Sequence, residues 1–145
     1  MRKITVSLQL LAAVLSIAAS LRYMTTSEFM PYHAVVAGQA WSTLSPGLQV
    51  IITGMLRILA GGFLACGLAL AFLAWPLWRA ERWAAWASLF IGLAVWAPTL
   101  AVTFMLKSAA PSAQPPTLPT IALLAVIVAA FVAGFLNRAP KSNEA

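Results

Sequence analysis

Charged side chains are scarce in this sequence of 145 residues, which has nine Lys and Arg and three Asp and Glu. They make up 8% of the chain, whereas soluble globular domains average about 25%. Cysteine and histidine occur once each, as Cys66 and His33. A single cysteine excludes an internal disulfide, and one residue of each kind excludes a tetrahedral zinc site or bis-histidine haem ligation within a monomer. These shortages exclude an ordinary soluble domain and the common metal centres.

Catalytic signatures are also missing. The sequence has no Gly-rich phosphate loop, no G-x-S-x-G motif and no pair of carboxylates within an apolar stretch. We therefore expect a non-enzymatic protein with no cofactor and no metal. One alternative is an acid/base pair formed by Glu28 and His33 on an outer-face site.

The sequence is rich in long apolar runs, with 62% hydrophobic residues and a mean hydropathy of +0.91. Four runs, at residues 4–21, 48–75, 83–106 and 118–136, reach the ~17 to 25 residues that span a bilayer as a helix. They leave no room for a soluble domain. The sequence predicts an all-α fold: one transmembrane domain over residues 1–145, built as a four-helix bundle.

The net charge of +6 fits the positive-inside rule better than nucleic-acid binding. With the amino terminus inside, six basic residues lie on the cytoplasmic side and two outside. The inner set is Arg2, Lys3, Arg79, Arg82, Arg138 and Lys141, and the outer set is Arg22 and Lys107. We expect a bacterial inner-membrane protein with both termini cytoplasmic, surrounded by lipid and without a nucleic-acid partner.

The segment 22–45, between the first two spans, should lie on the outer face. Pro31 is suited to a first helical turn, and the break at residues 45–47 is suited to a new helix start. The pattern predicts a short helix near residues 31–44 that caps the outer end of the bundle. This segment supplies four candidate site residues: Glu28, Tyr32, His33 and Trp41.

Arg57 is a lone cation inside the second apolar run. An arginine at the centre of a spanning helix costs roughly 2.5 to 3.5 kcal/mol, so such a residue is a functional candidate. It shares one helix face with small residues, which allow close helix contact in lipid. These residues are Thr53, Gly54, Ala60 and Gly61. We expect this face to pack against a neighbouring helix, with Cys66 on the opposite side.

Glu28 is the natural counter-ion for Arg57 or for Arg22, because it is the only outer carboxylate in the predicted topology. A competing interpretation places Arg57 near the outer edge of the hydrocarbon core, roughly 27 Å above Trp75, where its side chain snorkels to the headgroups. Pro98 should kink the third span in its outer half, within reach of Arg57.

Three stretches, at residues 28–33, 57–62 and 81–84, together resemble a group of small four-span bacterial membrane proteins that are loosely DoxX-like. This resemblance covers the four-span layout. It implies a four-helix inner-membrane bundle, and the family's name-giving member is a subunit of a quinone-linked sulfur oxidoreductase. Most relatives have no assigned activity, so the resemblance mainly supports the fold.

The favoured function is binding of a lipid, a small anion or a partner subunit at an outer-side pocket. Arg57 would supply charge, Tyr32, His33 and Trp41 would line the pocket, and Glu28 would hold Arg57 when the pocket is empty. An alternative is a membrane subunit of a redox complex, in which His33 or Arg57 donates a hydrogen bond to a quinone carbonyl. A third possibility is a small transporter that forms homo-oligomers.

Overall fold

The computed structural model describes residues 2–136, and all regular structure in that part of the chain is helical. Four long helices match the four predicted spans and confirm the all-α four-helix bundle of a multi-pass membrane protein. Arg138 and Lys141, two of the predicted cytoplasmic charges, lie outside the described residues. The α-helices are α1 (Arg2–Thr25), α2 (Pro31–Ala37), α3 (Pro46–Trp78), α4 (Arg82–Ala109) and α5 (Thr117–Leu136).

The helix predicted near residues 31–44 is shorter than expected. It begins at Pro31, whose missing N–H is harmless in a first turn. It ends at Ala37, and the following Gly38 adopts a left-handed φ of 67° that side-chain-bearing residues rarely adopt. A separate 3-10 turn, Trp41–Thr43, then leads to Ser45, whose hydroxyl accepts a hydrogen bond from the Leu48 N–H and caps α3.

Because the long helices alternate in direction along the chain, one end of the bundle collects the C-terminal ends of α1 and α4 and the N-terminal ends of α3 and α5. The same end carries α2 and the connection over residues 110–116. We call it the α2 end. The opposite end carries the tight turn at residues 79–81, where Ala80 has a positive φ of 60°.

Helix α3 packs most extensively against α1. Its buried face includes Leu56, Ala60, Phe63, Gly67 and Leu70, which follow the three- and four-residue spacing of one helical stripe. At Gly67 the helices are so close that a Cβ atom would lie 2.6 Å from Ile17 Cγ1 and 2.9 Å from the Ala13 carbonyl oxygen. This glycine permits the close approach of α1 and α3.

The predicted packing face on α3 is therefore largely wrong. Gly54 and Gly61 are exposed, and a Cβ at either position would meet no atom within 4 Å. Thr53 is half-buried and only Ala60, of that set, is fully buried. Cys66, which was expected on the opposite side, is 2% exposed and belongs to the core. The actual contact face is rotated around the helix by roughly a quarter turn.

Polar side chains on α1 tie the bundle together inside the apolar core. The Gln9 amide donates hydrogen bonds to the Leu70 carbonyl at 2.9 Å and to Ser88 Oγ at 2.8 Å, joining α1 to α3 and α4. Ser20 donates to the Ala60 carbonyl at 2.7 Å. In a medium that supplies no water partners, such bonds between helices fix which faces meet.

Candidate functional site

Arg57 holds the end of α1. Its guanidinium donates one hydrogen bond to the Tyr23 carbonyl and another to the Thr26 carbonyl, each at 2.8 Å. The last four carbonyls of a helix have no partner within the helix, and they form the negative end of its dipole. The forked guanidinium therefore caps the C-terminal end of α1 from the neighbouring helix α3. These two hydrogen bonds offset the free-energy cost of placing a lone cation in an apolar run.

The predicted pairing of Arg57 with Glu28 is not formed. Glu28 is exposed, and its carboxylate makes no ion pair within residues 2–136. Its backbone carbonyl instead accepts a hydrogen bond from the Thr26 hydroxyl at 2.8 Å. Arg57 donates to two main-chain carbonyls instead, because the chain leaves α1 beside its guanidinium.

A cavity of about 650 Å³ lies at the α2 end. Helices α1, α3, α4 and α5 form its walls, and α2 and the 110–116 connection contribute to its outer part. Most of its lining is apolar or aromatic. Its lining includes Leu15, Ala19, Arg22, Phe63, Trp96 and Leu123.

An aromatic stack closes the inner part of this cavity. The rings of Phe63 and Trp96 are parallel within 3°, with centroids 4.5 Å apart, and both side chains are at most 4% exposed. The Trp96 indole N–H donates to Ser16 Oγ at 3.1 Å, so its polar atom is already satisfied. This wall offers a ligand apolar contact and no free hydrogen-bonding group.

Tyr32 connects α2 to the bundle. Its hydroxyl forms a 2.7 Å hydrogen bond with the Tyr23 hydroxyl, and both side chains line the cavity. Burial, together with this bond, raises the pKa of the Tyr32 hydroxyl above its usual value. Tyr32 therefore stays neutral and acts as a hydrogen-bonding group that positions α2.

His33 stabilises the start of α2. Its ring Nδ1 accepts a hydrogen bond from the Met30 backbone N–H at 3.1 Å, and the His33 backbone N–H donates to the Met30 carbonyl at 2.8 Å. Burial lowers the pKa of His33, so the neutral imidazole that can accept this bond is favoured. The predicted site residue thus has a local structural partner.

A second cavity, of about 400 Å³, lies beside the first between α3 and α4. His33 and Pro98 line it, and Tyr23, Tyr32 and Thr99 line both cavities. Pro98 is exposed, and α4 continues beyond it to Ala109, so Pro98 belongs to a cavity wall and not to a buried helix contact.

Of the predicted pocket residues, Tyr32 lines both cavities, and His33 lines the smaller one but not the larger. Arg57 and Trp41 line neither cavity. The Trp41 ring contacts Phe29 edge to face, with centroids 5.1 Å apart, and its carbonyl accepts a hydrogen bond from the Gln49 amide at 2.9 Å. Trp41 therefore orders the link between α2 and α3.

Sequence reasoning did not identify Arg22, Tyr23 and Trp96 as cavity residues. For Arg22 and Tyr23 a signal existed, because they follow Leu15 and Ala19 at the spacing of one helix face. For Trp96 no such signal existed, since a tryptophan within an apolar run can pack on any side of its helix.

Comparison with protein-family models, curated proteins and solved structures gives no match for this chain.

Proposed function

We propose that this protein is a non-enzymatic membrane protein that binds a lipid-like molecule in the larger cavity at the α2 end. The observation that carries the proposal is the cavity itself. Its volume of about 650 Å³ lies within the roughly 300 to 1,000 Å³ that small-molecule sites occupy. Its predominantly apolar and aromatic lining suits hydrocarbon.

Access from the bilayer supports a lipid over a water-soluble ligand. Leu15 is 40% exposed on α1 and also lines the cavity, and Pro119 on α5 does the same. An apolar chain can therefore pass from the surrounding lipid to the cavity along these side chains. A small anion at Arg57 is less well supported, because this side chain lines neither cavity and its guanidinium donates to two main-chain carbonyls.

Two substitutions on α1 test the cavity directly. Ala19 lines it, whereas the neighbouring Ala18 is exposed and does not. Ala19→Phe should fill the space and abolish binding of hexadecanol to the detergent-purified protein, measured by native mass spectrometry. Ala18→Phe adds the same ring on the outside and should leave binding unchanged.

A variant on α2 provides an independent check in case Ala19→Phe folds poorly. Val35 is exposed and also lines the cavity, so Val35→Trp adds bulk without entering the helix contacts of the bundle. Hexadecanol binding that persists in both Ala19→Phe and Val35→Trp would show that the ligand does not use this cavity.

We further propose that the protein lies in a bacterial inner membrane with the α2 end outside and the termini in the cytoplasm, as the distribution of basic residues indicates. Single cysteines at Ala80 and Ser112, in a Cys66→Ser background, test this orientation. A membrane-impermeant thiol reagent should label position 112 in intact cells and position 80 only after lysis. The opposite pattern would reverse the orientation.

A further inference from the structure

The cavity is polarised along the bundle. On α1 its lining runs from Leu15 through Ala19 to Arg22, a distance of about 10 Å over seven residues. On the opposing wall it runs from the apolar Leu123 of α5 to Gln114 in the connection before that helix. The inner part is therefore apolar, and the part nearest the α2 end carries polar and charged groups.

Arg22 gives the outer part of the cavity a positive charge. It is the one charged residue among the described side chains that line the cavity. It is exposed, and within residues 2–136 it forms no ion pair or hydrogen bond through its side chain. Ser112 and Gln114 line the same part and have no hydrogen-bond partner in the described chain. Three polar side chains at this end thus have no hydrogen-bond partner among the described residues and can contact a ligand.

Arg57 differs from Arg22 in the partners of its side chain. It lies at the same end of the bundle, and its guanidinium donates hydrogen bonds to two carbonyls at 2.8 Å. The Arg22 side chain has no such partner within residues 2–136. An unpaired guanidinium beside an apolar, weakly polarisable cavity attracts an anion more strongly than one surrounded by water alone.

From these features we infer that the ligand is an anionic lipid: an apolar chain in the inner part of the cavity and a negatively charged headgroup at Arg22, with hydrogen bonds from Ser112 and Gln114. This inference rests on the proposed function. It adds the sign of the headgroup charge and the residue that selects it. Lipid headgroups of this kind come from two sources, free fatty acids and anionic phospholipids, which share the same chemistry at Arg22.

Two pairs of lipid probes separate the effect of headgroup charge from the effect of the apolar chain. Palmitate and hexadecanol share a chain length and differ in headgroup charge, and this pair tests the fatty-acid source. Lysophosphatidylglycerol and monopalmitoylglycerol differ in the same way, and this pair tests the phospholipid source. For each pair, the ratio of anionic to neutral affinity is measured by native mass spectrometry of the purified protein in a non-ionic detergent. Partition into detergent is the same for all variants, so it cancels when ratios are compared.

Arg22→Gln should lower the anionic-to-neutral ratio about two- to fivefold, as expected for an exposed charge-assisted contact. Arg22→Lys should retain most of the preference, because the positive charge is kept. Lys107→Gln is the matched control, since it removes a positive charge at the same end from a residue that lines neither cavity. Its ratio should equal that of the wild type. The probe pair with the larger loss in Arg22→Gln identifies the source of the ligand.

The outcomes distinguish this inference from the proposed function. If hexadecanol binds and Ala19→Phe abolishes its binding, but Arg22→Gln leaves both ratios unchanged, the lipid cavity stands and the anionic preference is wrong. Equal losses in Arg22→Gln and Lys107→Gln would also overturn it, because they would reflect the overall charge of this end. If hexadecanol binding is insensitive to Ala19→Phe and Val35→Trp, the proposed function and this inference both fall.

Discussion

Replacing Arg57 by Gln should destabilise the bundle more than any other change of a basic residue at the α2 end. The variant loses the two hydrogen bonds from the guanidinium to the Tyr23 and Thr26 carbonyls, each 2.8 Å long. A bond to a charged group contributes roughly 1.5 to 3 kcal/mol when buried. Arg57 is half-buried, and water at the end of the bundle can partly replace it at the two carbonyls. We therefore expect a loss of about 2 to 3 kcal/mol in the free energy of unfolding.

The measurement is equilibrium unfolding in mixed micelles of dodecylmaltoside and increasing dodecylsulfate, followed by circular dichroism. Arg57→Lys should recover only part of the loss, because a compact ammonium group cannot reproduce the fork that reaches two carbonyls at once. Arg22→Gln is the control, since it removes the same charge from a side chain without a partner in the described chain. Its unfolding free energy should match that of the wild type within about 0.5 kcal/mol.

A double-mutant cycle with Glu28 distinguishes the carbonyl cap from an ion pair. Because the Glu28 carboxylate makes no ion pair within residues 2–136, Glu28→Gln should be nearly neutral, and its effect should add to that of Arg57→Gln. A coupling of 1 kcal/mol or more between the two positions would refute the cap and restore the ion pair that the sequence suggested. An unchanged stability in Arg57→Gln would refute any structural role for this side chain.

Three further predictions concern packing, the polar core and pH. Gly67→Ala should destabilise the folded protein by about 1 to 3 kcal/mol, because the added Cβ would collide with α1. Gly61→Ala should not, because the space around Gly61 is open. Equal melting temperatures for the two variants would contradict the Gly67 contact. Gln9→Leu should lower the free energy of unfolding by about 1 to 2 kcal/mol. Its effect should not add to that of Ser88→Ala, because the two side chains share a hydrogen bond. Additive losses in dodecylsulfate unfolding would argue against this bond. The lowered pKa of His33 means that the unfolded chain binds protons more readily than the folded one. Stability should therefore be full above the unfolded pKa of about 6.5 and fall as the pH drops below it, and His33→Gln should flatten that profile of melting temperature against pH.

Hydropathy was sufficient for the fold. The four spans and the helix start at Pro31 could be predicted, because run length and proline geometry are properties of short stretches of chain. The cavities themselves could not, because they depend on how the helices pack. The end of α2 was missed by several residues, because the prediction did not use Gly38, a residue type that commonly ends helices in a left-handed conformation.

The sequence by itself determined that the chain forms four helices long and apolar enough to cross a membrane, because apolar length and charge scarcity act locally and add along the chain. Only the tertiary structure decided which side of α3 faces α1. Glycines lie on several sides of that helix, and the choice of Gly67 over Gly54 and Gly61 depends on the shape of the neighbouring surface. The partner of Arg57 was likewise decided in three dimensions. Main-chain carbonyls are present at every residue, so no residue type marks the two that the end of α1 brings to the guanidinium.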